Sequence, residues 1–294
     1  LPAESEDIEM KNWNTKNLKR AIIPLLAMGM IQLTSCGGHA LNTDAIGNFV
    51  GGDIGHGIKA GGHVIKAASY SEKDEDNLGQ SVAISLTNTY PVLRNDALTK
   101  YVTLVGYTVA STSPKPEMRY VFGILDTPEV NAFSGPHGYI FITRGALENI
   151  KDEAELAGVL GHEMSHVLLH HGLNQVKSAE MNAAVSEGVQ ASAAAKFSQF
   201  ADAGVDAITK VGYTQQQEFD ADQNSVKLVI AAGYDPYSYL HFLQRLAQLQ
   251  AAGGGVMSTH PGGTQRVSKV AGQLKNVPET GAILADRFAA SAKM

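Results

Sequence analysis

Two histidines four residues apart, His162 and His166, stand in the stretch from Ala154 to Gly172, which reads AELAGVLGHEMSHVLLHHG. In a helix this spacing puts both imidazoles on one face, about one turn apart, so that both reach a single metal ion. The surrounding residues support a helix. Asp152, with Glu155 three residues on, forms an N-terminal cap, and Leu156, Val159, Leu160, Val167 and Leu168 supply an apolar face. Glu163 sits beside the first histidine, placed to act on water at the metal. His162-Glu163-Met164-Ser165-His166 is thus an H-E-x-x-H motif, in which a metal polarises a carbonyl and acidifies a water that the glutamate deprotonates.

A catalytic zinc site needs a third protein ligand and leaves one position for water or substrate. One known pattern places a histidine six residues after the second, but position 172 is Gly172. The third ligand is expected further along, in Gln217-Glu218-Phe219-Asp220-Ala221-Asp222. There a second helical pattern starts and runs through Val226, Leu228, Val229 and Ile230 to a stop at Gly233. Glu218 and Asp222 share a face, so Glu218 is read as a ligand of one Zn²⁺ per chain and Asp222 as an acceptor that orients a ligand histidine. His170 and His171 continue the first helix and read as supporting or surface groups rather than ligands.

Residues 1–36 have the pattern of a processing signal. Lys11, Lys16, Lys19 and Arg20 follow Met10, the suspected true start, and precede an apolar run from Ala21 to Leu33. Interrupted by Pro24, that run is too short to span a bilayer. It ends in Leu33-Thr34-Ser35-Cys36, which resembles a bacterial lipobox whose cysteine is lipidated. Cys36 is the chain's only cysteine, so no intramolecular disulfide can form. Gly37 follows where an Asp would resemble an inner-membrane retention signal. The expectation is a protein on the periplasmic side of a bacterial cell envelope, held by a lipid anchor at Cys36 in the outer rather than the inner membrane. Residues 37–70, rich in Gly, Ala and His, read as a flexible tether. A formal net charge of −6 with no basic stripe argues against nucleic acid as a partner.

The folded domain is expected over 71–294. Ser71 with Asp74 opens a helix that ends before Pro91, and Asn95 opens another through Val109. Strand-like runs follow at Met118 to Leu125 and Glu129 to Phe133, then a turn at Ser134 to Gly138 and a third run at Tyr139 to Thr143. Gly138, Tyr139, Ile140, Phe141 and Ile142 admit two readings. They form an ordinary buried hairpin strand, or an exposed edge strand beside the metal that holds an extended peptide by main-chain hydrogen bonds. The Ala-rich stretch from Leu173 to Tyr213 is either a mobile lid or a surface helical hairpin. Asp235-Pro236 opens a further helix, and a Gly-rich run leads to His260-Pro261, with Arg266 six residues on.

Asn131-Ala132-Phe133, the strand from Gly138 to Thr143, the H-E-x-x-H motif, Glu218 with Asp222, and His260-Pro261 with Arg266 occur in one order over Ser71 to Leu274. The combination resembles the gluzincin family of HtpX and the CAAX prenyl endopeptidases, in its periplasmic lipoprotein branch. That resemblance implies a zincin-like α+β fold, mostly helical, with a small sheet whose edge strand lies beside the active-site helix. It implies a zinc endopeptidase acting on unfolded or misassembled envelope proteins. Asn131 would then lie near the substrate backbone, and His260 and Arg266 at the cleft, where they would join Glu163 in catalysis by supporting the transition state. In some relatives the matching histidine occupies the open zinc position and holds the enzyme latent. His260 reads equally as a satisfied loop histidine, as such a latch and as a group that supports the transition state. A chaperone-like lipoprotein that binds exposed strands would use the same cleft. The intact Glu163 favours the enzyme, because strand binding needs no base beside a metal.

Overall fold

The computed structural model describes residues 71–178, 206, 211–251, 259–261 and 263–292. The expected signal segment 1–36, with Cys36, and the tether 37–70 lie outside the described residues, as does most of the stretch read as lid or hairpin. The first helix, α1 (Glu72–Thr89), starts where the sequence places it: the Ser71 hydroxyl accepts from the Asp74 N–H, and the Asp74 carboxylate accepts from the Ser71 N–H. Asn95 caps α2 (Asp96–Ala110) through the Leu98 N–H. Three short strands follow, β1 (Val121–Leu125), β2 (Ala132–Gly135) and β3 (Tyr139–Thr143). Then come α3 (Arg144–Asn149), α4 (Glu153–Leu168), α5 (Gln215–Ala231), α6 (Pro236–Ala251), α7 (Gly263–Leu274) and α8 (Ala285–Ser291). The architecture is α+β and mostly helical, as expected. No helix among the described residues is long and apolar enough to cross a membrane.

The strand order is β1-β3-β2. β3 pairs in parallel with β1, from Val121↔Tyr139 to Leu125↔Thr143, and antiparallel with β2, from Ala132↔Ile142 to Gly135↔Tyr139. This corrects the reading of Gly138 to Ile142 as an exposed edge strand. β3 is the central strand, and every residue of its run YIFIT is buried. A continuous apolar run is what a strand covered on both faces requires. Gly138 lies before it, in a turn with φ +93°. The turn is also shorter than expected, Pro136–Gly138, because Ser134 and Gly135 continue β2. The edge strand packed against α4 is β2.

α4 is the axle of the domain. Asp152 caps it through the Glu155 N–H, and its residues from Glu153 to Val167 are all buried against α2, α5, α6 and β2. A helix covered on every side has no solvent face: from Leu156 to Leu160 it mixes small and large apolar groups, and the polar side chains it buries further on include His162, Glu163 and His166. Leu156, Leu160 and Met164 each contribute roughly 1.5–3 kcal/mol by leaving water. Gly158 lets α6 approach: a Cβ there would meet the Tyr239 ring at 2.5 Å. Ser225 of α5 donates to the Gly158 carbonyl at 2.8 Å, fixing the height of α5 along α4.

The first turn of α4 is tied to residues distant in sequence. The buried Glu153 carboxylate accepts from the hydroxyls of Tyr101 (2.7 Å) and Tyr234 (2.6 Å) and from Nε and Nη2 of Arg287 on α8. The Ala154 N–H donates to the Ile283 carbonyl at 3.3 Å. Burial alone would raise the Glu153 pKa, but Arg287 and the two tyrosines hold it below the usual carboxylate value.

Candidate metal centre

α4 presents His162 and His166 from one face, and α5, opened by a Thr214–Gln217 capping box, brings Glu218 to meet them from its first turn. His260, on the segment just before α7, completes the group. The Nε2 atoms of His162 and His166 are 3.0 Å apart. His162 Nε2 lies 3.3 Å from His260 Nδ1 and 3.5 Å from Glu218 Oε2. Glu218 Oε1 is 3.4 Å from His166 Nε2 and 2.9 Å from His260 Nδ1. One atom from each of the four residues falls within 4.8 Å of all the others. Ligands held about 2.0–2.1 Å from a tetrahedral zinc ion are separated by about 3.3–3.4 Å, so this donor set fits such an ion. All four residues are at most 2% exposed.

Hydrogen bonds behind the donors fix which nitrogen faces inward. His162 Nδ1 is 2.9 Å from Asp222 Oδ1, so its N–H points at the carboxylate and Nε2 keeps its lone pair for the centre. His166 Nδ1 meets His171 Nδ1 at 2.9 Å, which gives His171 the same supporting role. His260 directs Nε2 to the Ala132 carbonyl, 3.4 Å away, and Nδ1 to the centre. Arg266 of α7 donates to Asp222 through Nε (2.8 Å) and Nη2 (2.7 Å), while its Nη1 lies 2.8 Å from Glu218 Oε2. Tyr239 adds a donor to Asp222 at 2.7 Å.

These contacts set the charges. Burial alone would raise the Glu218 pKa, but His260, Arg266 and His162 hold it well below the carboxylate range. Asp222 is likewise depressed against its burial, by Arg266 and His162. Burial pushes His166 well below an ordinary histidine and keeps it neutral, the form that ligates. His260 moves the other way: Glu218 and Glu163 overcome its burial and raise it. Both Glu163 oxygens are buried without a hydrogen-bond partner among the described residues, and Oε1 lies 3.6 Å from His260 Nε2.

His162, Glu163, His166, Glu218, Asp222, His260 and Arg266 are therefore gathered at one point. Arg266 reaches it through the two α5 carboxylates rather than through an open cleft. Asn131, 1% exposed, turns its Oδ1 onto the N–H of Ala132, the next residue, at 3.0 Å, and receives the Thr259 hydroxyl at 3.4 Å. Sequence reasoning passed over Tyr213, whose ring stacks on His166 at 3.7 Å between centroids. It also passed over Tyr239, whose hydroxyl bonds Asp222. An aromatic residue next to a glycine, just ahead of the Thr214 cap, was the available signal for the first. The second sits in an apolar helical stripe and gave none.

A model of peptidase family M48 matches residues 96–273, more than half of the chain. The beta-barrel assembly-enhancing protease of Escherichia coli (strain K12) is 25% identical over 199 residues, covering 64% of this chain and 41% of that protein. The mitochondrial metalloendopeptidase OMA1 of Arabidopsis thaliana is 28% identical over 175 residues, 58% of this chain and 34% of that one. The metalloprotease YcaL of Escherichia coli (strain K12) is 25% identical over 235 residues, 76% of this chain and 89% of its relative. The chain thus spans about two fifths of the assembly-enhancing proteases it matches and most of YcaL.

Proposed function

The chain belongs to peptidase family M48, a family of metalloproteases, and from that premise we propose that it is a zinc-dependent endopeptidase of the bacterial cell envelope that hydrolyses peptide bonds in unfolded or misassembled proteins. One observation carries the reading: Glu218 meets both histidines of the H-E-x-x-H helix, 3.5 and 3.4 Å from their Nε2 atoms. The names of the relatives, an assembly-enhancing protease above all, support an envelope setting. A lipid anchor at Cys36, periplasmic exposure and the outer membrane are parts of the proposal that rest on the sequence of residues 1–37.

His162, His166 and Glu218 would hold the zinc, which when bound supplies a Lewis acid that polarises the scissile carbonyl and acidifies water. Glu163 accepts the proton of the attacking water and returns it to the leaving amine. Without a hydrogen-bond partner among the described residues, the carboxylate is available as a base. Asp222 holds His162 in the tautomer that presents Nε2, and Arg266 keeps Glu218 and Asp222 charged. The outer edge of β2 holds the substrate main chain in extended form, with Asn131 at one end. Such recognition reads backbone rather than side chains, which suits an unfolded substrate.

A second reading, a chaperone-like lipoprotein that binds exposed strands over a latent zinc site, is favoured by one feature: His260 stands as a fourth donor where water would be needed. Purified protein incubated with casein separates the two, run beside Glu163→Gln and a chelated sample. A peptidase of this mechanism cuts casein, with Glu163→Gln slower by about 10²–10⁴-fold and the chelated sample inactive. Equal cutting by wild type and Glu163→Gln would falsify the mechanism. No cutting by either, with aggregation suppressed by both, establishes the binding reading.

A further inference from the structure

The outer edge of β2, read above as the strand that receives substrate, is already occupied. The Thr143 N–H donates to the Asn131 carbonyl at 3.1 Å, so by the antiparallel alternation residues 131, 133 and 135 face β3 while Ala132 and Ser134 face outward. These two residues carry four outward main-chain groups, and three are engaged by side chains of the site. The Ala132 N–H donates to Asn131 Oδ1 at 3.0 Å, the Ala132 carbonyl meets His260 Nε2 at 3.4 Å, and the Ser134 carbonyl accepts from the Tyr213 hydroxyl at 3.5 Å. A peptide strand pairing with β2 would lie about 4.8 Å from it and use those same groups.

Tyr213 is the largest of the three obstacles. Its ring lies flat on His166, with centroids 3.7 Å apart and planes 13° from parallel, and its hydroxyl reaches across to β2. It therefore spans the cleft from the ligand helix to the edge strand. The ring is buried, and so is Ser134, whose Oγ has no hydrogen-bond partner among the described residues. The main chain ties this bar to His260: the Tyr213 N–H donates to the Thr259 carbonyl at 3.0 Å. Gly212, at φ +72°, makes the contact possible, since a Cβ there would stand 2.4 Å from the Thr259 oxygen. From the other side the Gln175 side-chain amide donates to the Gly212 carbonyl at 2.6 Å.

We propose that Tyr213 is the gate of this site: its side chain fills the place of a bound peptide strand, and it leaves together with His260, through the Tyr213–Thr259 bond, before substrate pairs with β2. The inference rests on the reading of β2 as the substrate strand and adds what regulates access to it. A gate of this kind lowers apparent affinity by the fraction of molecules that are open, so loosening it tightens binding. A residue that merely packs the site, or one that clasps substrate, does the opposite when removed.

The test is binding of a fluorescein-labelled ten-residue Thr-Val repeat peptide, read by fluorescence anisotropy, to the full-length, zinc-loaded protein carrying Glu163→Gln so that nothing is cut. Tyr213→Ala in that background should lower Kd by about tenfold, and Gln175→Ala, which frees only the Gly212 carbonyl, by about threefold, as expected if the closed state dominates. An unchanged or higher Kd in Tyr213→Ala, with circular dichroism and metal content intact, overturns the gate. Should Tyr213→Ala fail to fold, Gln175→Ala decides by the same criterion, and absence of peptide binding in every variant also overturns it. The peptidase reading stands or falls separately, on casein cleavage and its loss in Glu163→Gln.

Discussion

Replacing Asp222 by alanine deletes a carboxylate shared by four buried donors: Arg266 Nε and Nη2 at 2.8 and 2.7 Å, the Tyr239 hydroxyl at 2.7 Å and His162 Nδ1 at 2.9 Å. Two separate quantities should move. Removing one partner of a buried ion pair costs about 3–5 kcal/mol, mostly because the other charge is left unpaired. Arg266 is not wholly stranded here, since its Nη1 keeps Glu218 Oε2 at 2.8 Å. The lower part of the range therefore applies, about 3–4 kcal/mol, or a fall in Tm of about 6–16 °C for a domain of this size. The second quantity is affinity for the zinc proposed at this site. His162 loses the acceptor that selects its tautomer, which should weaken binding by about 10–100-fold, equivalent to about 1.4–2.7 kcal/mol. Thermal melts of the metal-free protein and competition against a chromophoric chelator measure the two independently. The double variant Asp222→Leu with Arg266→Met removes both charges and should regain most of the stability while zinc affinity stays low. Zinc affinity within twofold of wild type in Asp222→Ala would refute the orienting role. A double variant no more stable than the single one would refute the assignment of the stability cost to an unpaired guanidinium.

Acid should unfold the metal-free protein through the same pair. Burial alone would raise Glu218 and Asp222, yet both are held below their ordinary values of 4.5 and 3.8 by Arg266 and the neighbouring histidines. Groups depressed in the folded state add stability above their unfolded pKa and lose it as pH falls toward the folded one. Stability should thus drop below about pH 4.5, by up to about 1.4 kcal/mol per pH unit for each carboxylate. A Tm that stays level from pH 4.5 to 2.5 contradicts the charge assignments. Cys36→Ser should shift the protein from the membrane to the soluble fraction of cells that express it, and unchanged membrane association counts against the anchor.

Local rules were readable in the chain, and long-range ones only where a motif stood for them. The caps at Ser71, Asn95 and Asp152 lie where short polar side chains precede apolar periodicity, because capping is a contact across three residues. The candidate metal group was readable because two of the proposed ligands share one helix turn and the third shares a helix with its charged neighbour. Strand order was not, since pairing is decided between segments. Even so, the run YIFIT held a clue: four large apolar residues in a row without alternation, closed by Thr143, suit a strand buried on both faces. Tyr213 and Tyr239 escaped because a tyrosine's meaning depends on what its hydroxyl meets, and those partners lie 79 and 17 positions away.

The tie between Glu153 and Arg287, 134 residues apart, bears on how the molecule matures. Until the segment carrying Arg287 has docked, the carboxylate that heads the histidine-bearing helix has the hydroxyls of Tyr101 and Tyr234 as partners but no cation. Ribosomal synthesis delivers that guanidinium after every residue of the metal centre. A nascent or prematurely stopped chain that lacks residue 287 therefore carries the head of its histidine-bearing helix without the cation that pairs with it.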